Sequence, residues 1–172
     1  MIPTVSDDIK VTVFDISVTR AYFDGINNAA IAAQVMESHE RLYHDPNGSL
    51  FEDTMFNPER GSVGHDLLML LNQHFKNHGY ILAGHWSHIH RPLESTNTHD
   101  HCNFDLSFAY YVQVPEGSGD IVFEIQNLNT PLKPREGELL VFPGWLKHRV
   151  SKNLGSGIRI SIAGNLKRDE NN

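Results

Sequence analysis

Three histidines in this chain could share one metal ion. His99 and His101 stand two residues apart at the head of the stretch H-D-H-C-N-F-D-L-S-F-A-Y-Y (99–111), and His148 ends F-P-G-W-L-K-H. Side chains on an extended segment alternate between faces, so His99 and His101 project the same way, as two ligands of one ion must. Neutral imidazole suits first-row transition metals, and three protein ligands leave positions open for a substrate or O2. The chain between the pair and His148 has room for two strand pairs and their turns, which would bring both ends back to one mouth of a barrel.

A second group faces the same chemistry. In G-I-R-I-S-I-A-G (157–164), Arg159, Ser161 and Ala163 share one strand face, and Ile158, Ile160 and Ile162 share the other. A guanidinium turned inward is costly unless paired, so Arg159 implies an anionic partner, and its planar fork suits a carboxylate. The strand L-S-F-A-Y-Y-V repeats the pattern, setting Ser107, Ala109 and Tyr111 on one face. Trp86, His88 and His90 also share a face and are candidates for lining a substrate entrance. Cys102 reads as a small, half-buried residue.

These groups need elements to carry them. Residues 10–23 are rich in β-branched and aromatic residues and read as one or two strands. Asn27 or Asn28 can cap a first helix whose inner side holds Ile31, Val35 and His39. Residues 44–60, with D-P-N-G-S and N-P-E-R-G, read as a loop that, with residues 91–98, borders the entrance. Ser62 can cap a second helix, with Val63, Leu67, Leu71 and Phe75 at four-residue intervals and Gly79 as its stop. Six strand-like runs follow (80–90, 104–114, 120–125, 137–143, 149–151, 157–164), with turn-forming stretches such as 127–137 and 153–157 between them. The expected fold is mainly β: a double-stranded β-helix, or jelly-roll and cupin-like barrel, with two N-terminal covering helices. The expected organisation is one domain over 1–172, with strands and helices in 1–79, the β-helix core in 80–165 and a flexible tail in 166–172.

Composition narrows the classes. The chain has 172 residues, 14 Lys and Arg against 21 Asp and Glu, and a net charge of -7. No basic cluster exceeds Lys133 to Arg135, which argues against a nucleic-acid partner. No run approaches the ~18 apolar residues of a membrane span. The N-terminus lacks a basic, then apolar, secretory pattern, and one cysteine agrees with a reducing compartment, so the expected location is cytoplasmic. Histidine is the compositional oddity, at eleven.

The order H-D-H, L-S-F-A-Y-Y, E-G-E-L-L-V-F-P-G-W-L-K-H and R-I-S resembles the core of the Fe(II)/2-oxoglutarate-dependent oxygenases. It is most similar to a bacterial and phage branch related to prolyl hydroxylases, which also carries a tryptophan strand like H-W-S-H-I-H and an Asn like Asn165. The likeness spans residues 80–165. It implies Fe(II) at His99, His101 and His148, and 2-oxoglutarate held at its distal carboxylate by Arg159 and Ser161, with help from Tyr111. It further implies hydroxylation of a C–H bond in a peptide or small molecule, with O2 consumed and succinate and CO2 released. One departure stands out: most of the wider family has Asp or Glu where this chain has His101. Asp100 points to the opposite face, and Asp105 could supply the carboxylate only if the chain loops before the strand. Two alternatives follow from the residues. A three-histidine cupin-type dioxygenase or lyase would use no 2-oxoglutarate and would have no reason to hold Arg159 with Ser161; a non-catalytic jelly-roll binding module would have no tight metal site.

Overall fold

The computed structural model describes residues 16–43, 53–54 and 56–170. Residues 10–15 of the strands expected over 10–23, and 44–52 and 55 of the loop expected over 44–60, lie outside the described residues. In chain order the elements are β1 (Thr19–Tyr22), α1 (Asn28–Tyr43), β2 (Asp53–Thr54), α2 (Val63–Asn77), β3 (Tyr80–His90), β4 (Thr96–His99), β5 (Leu106–Gln113), β6 (Ile121–Ile125), β7 (Leu128–Leu132), β8 (Glu138–Pro143), β9 (His148–Val150) and β10 (Arg159–Arg168). They form two antiparallel sheets: six strands in the order β1-β8-β5-β10-β3-β2, and four in the order β4-β9-β6-β7.

Both helices begin where the sequence predicts. The Ala30 amide donates to Asn27 Oδ1 at 3.1 Å, and the His65 amide donates to Ser62 Oγ at 3.3 Å, each satisfying a donor left open at a helix start. Gly79, at φ 78°, follows α2 in the left-handed conformation that suits a residue without Cβ. The inner side of α1 buries Ile31, Val35 and His39, and that of α2 buries Leu67, Leu71 and Phe75; Val63, in the first turn, stays exposed. Both helices pack on the six-stranded sheet. The Phe75 and Phe108 rings lie 4.9 Å apart, the Tyr110 hydroxyl donates to Asn28 Oδ1 at 2.9 Å, and His39 Nε2 meets Ser87 Oγ at 3.1 Å. Among the described residues no helix is long and apolar enough to cross a membrane.

Strand alternation sorts the core into two layers. Phe108, Tyr110, Val112, Ile160 and Ile162 join the cluster that includes the buried residues of the helices. Ala109 and Tyr111 point the other way and pack with Ile121, Phe123, Leu140, Phe142 and Leu146, which come from both sheets. The functional cavity opens within this second layer.

Three sequence expectations change. Residues 127–137, read as a turn region, contain β7, whose residues pair with β6 from Ile121↔Leu132 to Ile125↔Leu128. β7 is an edge strand, mostly exposed, with Leu128 71% exposed and Pro131 and Asn129 within it, so its sequence reads as a turn. β4, within what reads as a bordering loop, is a strand because it pairs with β9. The tail begins later than 166: Leu166 is buried and pairs with Leu82 and Leu106, so β10 continues to Arg168.

Candidate metal centre and its cavity

His99 and His148 are register partners across β4 and β9. Their ring centroids lie 4.4 Å apart, with His101 at 5.1 Å from His99 and 5.4 Å from His148. One nitrogen from each ring falls within 4.8 Å of the others, so the three expected ligands converge. Two of the rings have their tautomer fixed from behind. His99 Nδ1 is 2.8 Å from the Asn97 carbonyl and His148 Nδ1 is 2.9 Å from the Leu146 carbonyl. A carbonyl only accepts, so each Nδ1 carries the proton and each Nε2 keeps a lone pair, the usual state of a metal-binding imidazole. Burial pushes the His148 imidazole down to about 4, against a partial lift from the Leu146 carbonyl, and the neighbouring His99 and His101 lower it further. At neutral pH the ring is uncharged and able to ligate.

His101 depends on a glycine that the motif reading passed over. Its amide donates to the Gly144 carbonyl at 2.7 Å, and the Gly144 amide donates to the Asp105 carbonyl at 3.1 Å. A Cβ on Gly144 would stand 2.3 Å from the Phe104 carbonyl oxygen and 2.8 Å from that of His101. The loop holding His101 and the turn leading to His148 therefore sit back to back, and only glycine permits the contact. Trp86 flanks the same ligand, its ring centroid 5.7 Å from that of His101.

The carboxylate alternative fails on geometry. Asp105 is exposed, and its Oδ2 accepts the Arg168 amide at 2.8 Å; it does not line the cavity. Asp100 Oδ1 accepts the Cys102 amide at 3.3 Å. Cys102 itself is exposed rather than half-buried.

The histidines open onto a cavity of about 120 Å³ between the sheets, lined by Trp86, His88 and His90 of β3, Ser107, Ala109 and Tyr111 of β5, and Arg159, Ser161 and Ala163 of β10. That is space for a small molecule. Arg159 is 2% exposed, and Nη1 makes a single long contact, 3.4 Å, to the Gly119 carbonyl. Its guanidinium carbon lies 5.0 Å from the Tyr111 ring centroid. Arg159 Nε and the Tyr111 hydroxyl are both buried without a hydrogen-bond partner, and no carboxylate among the described residues reaches ion-pair distance of Arg159. Burial lowers the guanidinium and raises the Tyr111 phenol from their ordinary values; each favours the other's charged form. Two buried donors without partners are what an anionic ligand would satisfy.

His88 and His90 lie deeper than an entrance would place them. His90 is 2% exposed and pairs in register with Arg159, and His88 pairs with Ser161. Their rings stack 4.3 Å apart, and His90 Nε2 meets Thr96 Oγ1 of the opposite sheet at 2.8 Å. Sequence reasoning also missed Asn153, fully buried in a stretch that reads as a turn. Its Nδ2 donates to the His90 and Gly157 carbonyls at 3.0 and 2.8 Å, and its Oδ1 accepts the Gly155 amide at 3.0 Å. A lone Asn before L-G-S-G carries no signal of such a role.

The two antiparallel sheets make a jelly-roll fold with the three histidines converging between them, and comparison with known structures agrees on the fold. Residues 126–165 match the family described as putative 2OG-Fe(II) oxygenase. An oxidoreductase of the 2OG-Fe(II) oxygenase family from Burkholderia pseudomallei shares the fold at 15% identity, covering 88% of this chain and 84% of its own, with a TM-score of 0.66. A Pseudomonas putida prolyl-4-hydroxylase is similar at 17% identity, with 88% and 87% covered and a TM-score of 0.57. A viral collagen prolyl hydroxylase from Paramecium Bursaria Chlorella virus-1 is similar at 16% identity, with 87% and 89% covered and a TM-score of 0.60. No curated protein matches by sequence. The family match covers residues 126–165, from just before β7 into β10, and the solved structures share the fold over most of the chain.

Proposed function

We propose that the chain hydroxylates a C–H bond of a small molecule or peptide, with His99, His101 and His148 holding Fe(II) and with Arg159, Ser161 and Tyr111 receiving the distal carboxylate of 2-oxoglutarate. The observation that carries this reading is the buried Arg159, which has no carboxylate partner among the described residues, in one small cavity with three convergent imidazoles. When bound, Fe(II) would supply O2 activation coupled to decarboxylation of 2-oxoglutarate, giving succinate and CO2. The chain supplies the rest. The Asn97 and Leu146 carbonyls keep two imidazoles in the ligating tautomer, Arg159 and Tyr111 offer donors to the carboxylate, and Phe142, Ile121 and Ala163 exclude water from between.

The experiment is an anaerobic titration of the protein with Fe(II) and then 2-oxoglutarate, read by the visible charge-transfer band of the chelated keto acid. Its appearance, and its loss in Arg159→Ala, supports the reading. Iron bound without any band would favour the cupin-type dioxygenase, to which the three-imidazole donor set is also suited. Failure to bind iron would leave a jelly-roll binding module.

A further inference from the structure

On the outward face of the four-stranded sheet, directly behind the histidine pair, one carboxylate joins three strands. Glu124 Oε1 accepts from Thr98 Oγ1 at 2.9 Å and from Arg149 Nε at 2.9 Å. Thr98 and Arg149 are the chain neighbours of His99 and His148, so the alternation that turns the imidazoles inward turns these two outward. Glu124 itself follows Phe123, the register partner of His148 on β6, and its amide donates to the Lys147 carbonyl at 2.8 Å. The carboxylate thus reaches across β9 to β4, two strand spacings or ~9–10 Å.

β4 needs such a brace. It is four residues long and, among the described residues, forms the edge of its sheet and pairs with β9 alone, with a register irregularity between Thr96 and His99. Few backbone bonds therefore fix where His99 stands. The Glu124 and Arg149 side chains are 25% and 35% exposed, and their contact combines charge with a directed hydrogen bond.

We infer that Glu124 is a positioning residue of the metal centre, setting the spacing and tilt of His99 and His148 through Thr98 and Arg149 without touching the metal. The inference rests on the reading of the three histidines as a metal site. Groups hydrogen-bonded to the ligands themselves typically change metal affinity roughly 10- to 100-fold when removed, and Glu124, one residue further back, should act toward the lower end of that range.

Cobalt(II) alone, added anaerobically to the full chain, provides the test, because its d–d absorption reports ligand geometry directly. Glu124→Ala should bind Co(II) roughly tenfold more weakly and with an altered band, while the metal-free melting temperature stays near that of the unsubstituted chain. Glu124→Gln keeps an oxygen that accepts from both neighbours and should restore the band. Thr98→Val retains a β-branched strand residue, severs only the β4 arm and should give an intermediate loss. Unchanged Co(II) affinity and spectrum in Glu124→Ala, or in Thr98→Val should the first variant not fold, would overturn the inference. So would an affinity loss that merely follows a loss of metal-free stability, with Gln no better than Ala. No Co(II) binding by the unsubstituted chain would instead overturn the metal site on which the inference rests.

Discussion

The amide of His101 and the carbonyl of Gly144 are joined by a 2.7 Å hydrogen bond, at a place where Gly144 has no room for a Cβ. One ligand is thereby fixed by the turn that leads to another. Adding a methyl must part the two segments, since the obstructing atoms are backbone oxygens. Gly144→Ala should lower Fe(II) or Co(II) affinity by roughly tenfold or more, measured by competition with a chelator. Wild-type affinity in that variant would show that His101 does not depend on the contact.

Arg159→Met separates the cost of the cavity from its use. Methionine fills similar length without charge, and removing a buried guanidinium that lacks a carboxylate should stabilise the metal-free fold by about 1 kcal/mol or more. The same variant should bind 2-oxoglutarate roughly 30-fold or more weakly. Denaturant midpoints and calorimetric titration report the two effects independently; a destabilised variant would mean that the guanidinium already has a compensating partner.

His148 gives metal-free stability a pH dependence whose sign follows from its burial. The unfolded chain accepts a proton on this imidazole below its ordinary 6.5, and the folded chain only near 4. Between those values protons favour unfolding, so stability is fully present above pH 6.5 and falls as pH drops toward 4, by roughly 3 kcal/mol from this group. Urea midpoints at pH 7, 5.5 and 4 should show the decline, and His148→Gln should flatten it. An equal slope in both proteins would assign the effect to other groups.

Asn153 holds three backbone groups around the inner wall. Asn153→Ala leaves the His90 and Gly157 carbonyls and the Gly155 amide without these bonds. The expected cost is about 3 kcal/mol, read from the urea midpoint. The Leu93 amide, which donates to the Asn153 carbonyl at 2.7 Å, should exchange hydrogen faster as the loop loosens. Unchanged stability would imply that water replaces all three bonds.

The Arg159, Ser161 and Tyr111 faces were legible because strand alternation is a strong local rule: knowing that a segment is extended fixes which residues share a side; His99 and His101 converge by another route, since His101 lies in the loop beyond β4. The helices were legible through Asn27, Ser62 and their apolar spacing. β4 and β7 were not, because T-N-T-H and L-N-T-P-L owe their strand form to partners distant in sequence, β9 and β6. Gly144, Asn153 and Glu124 escaped for the same reason. Each acts by joining segments that only the folded chain brings together, and none stands in a periodic pattern.

β10 carries Arg159, Ser161 and Ala163 toward the cavity and Ile160 and Ile162 toward the helices. The side that walls the cavity and the side that packs the core therefore take alternate letters of one strand, so a substitution at 161 or 163 alters the cavity wall while 160 and 162 still join the layers.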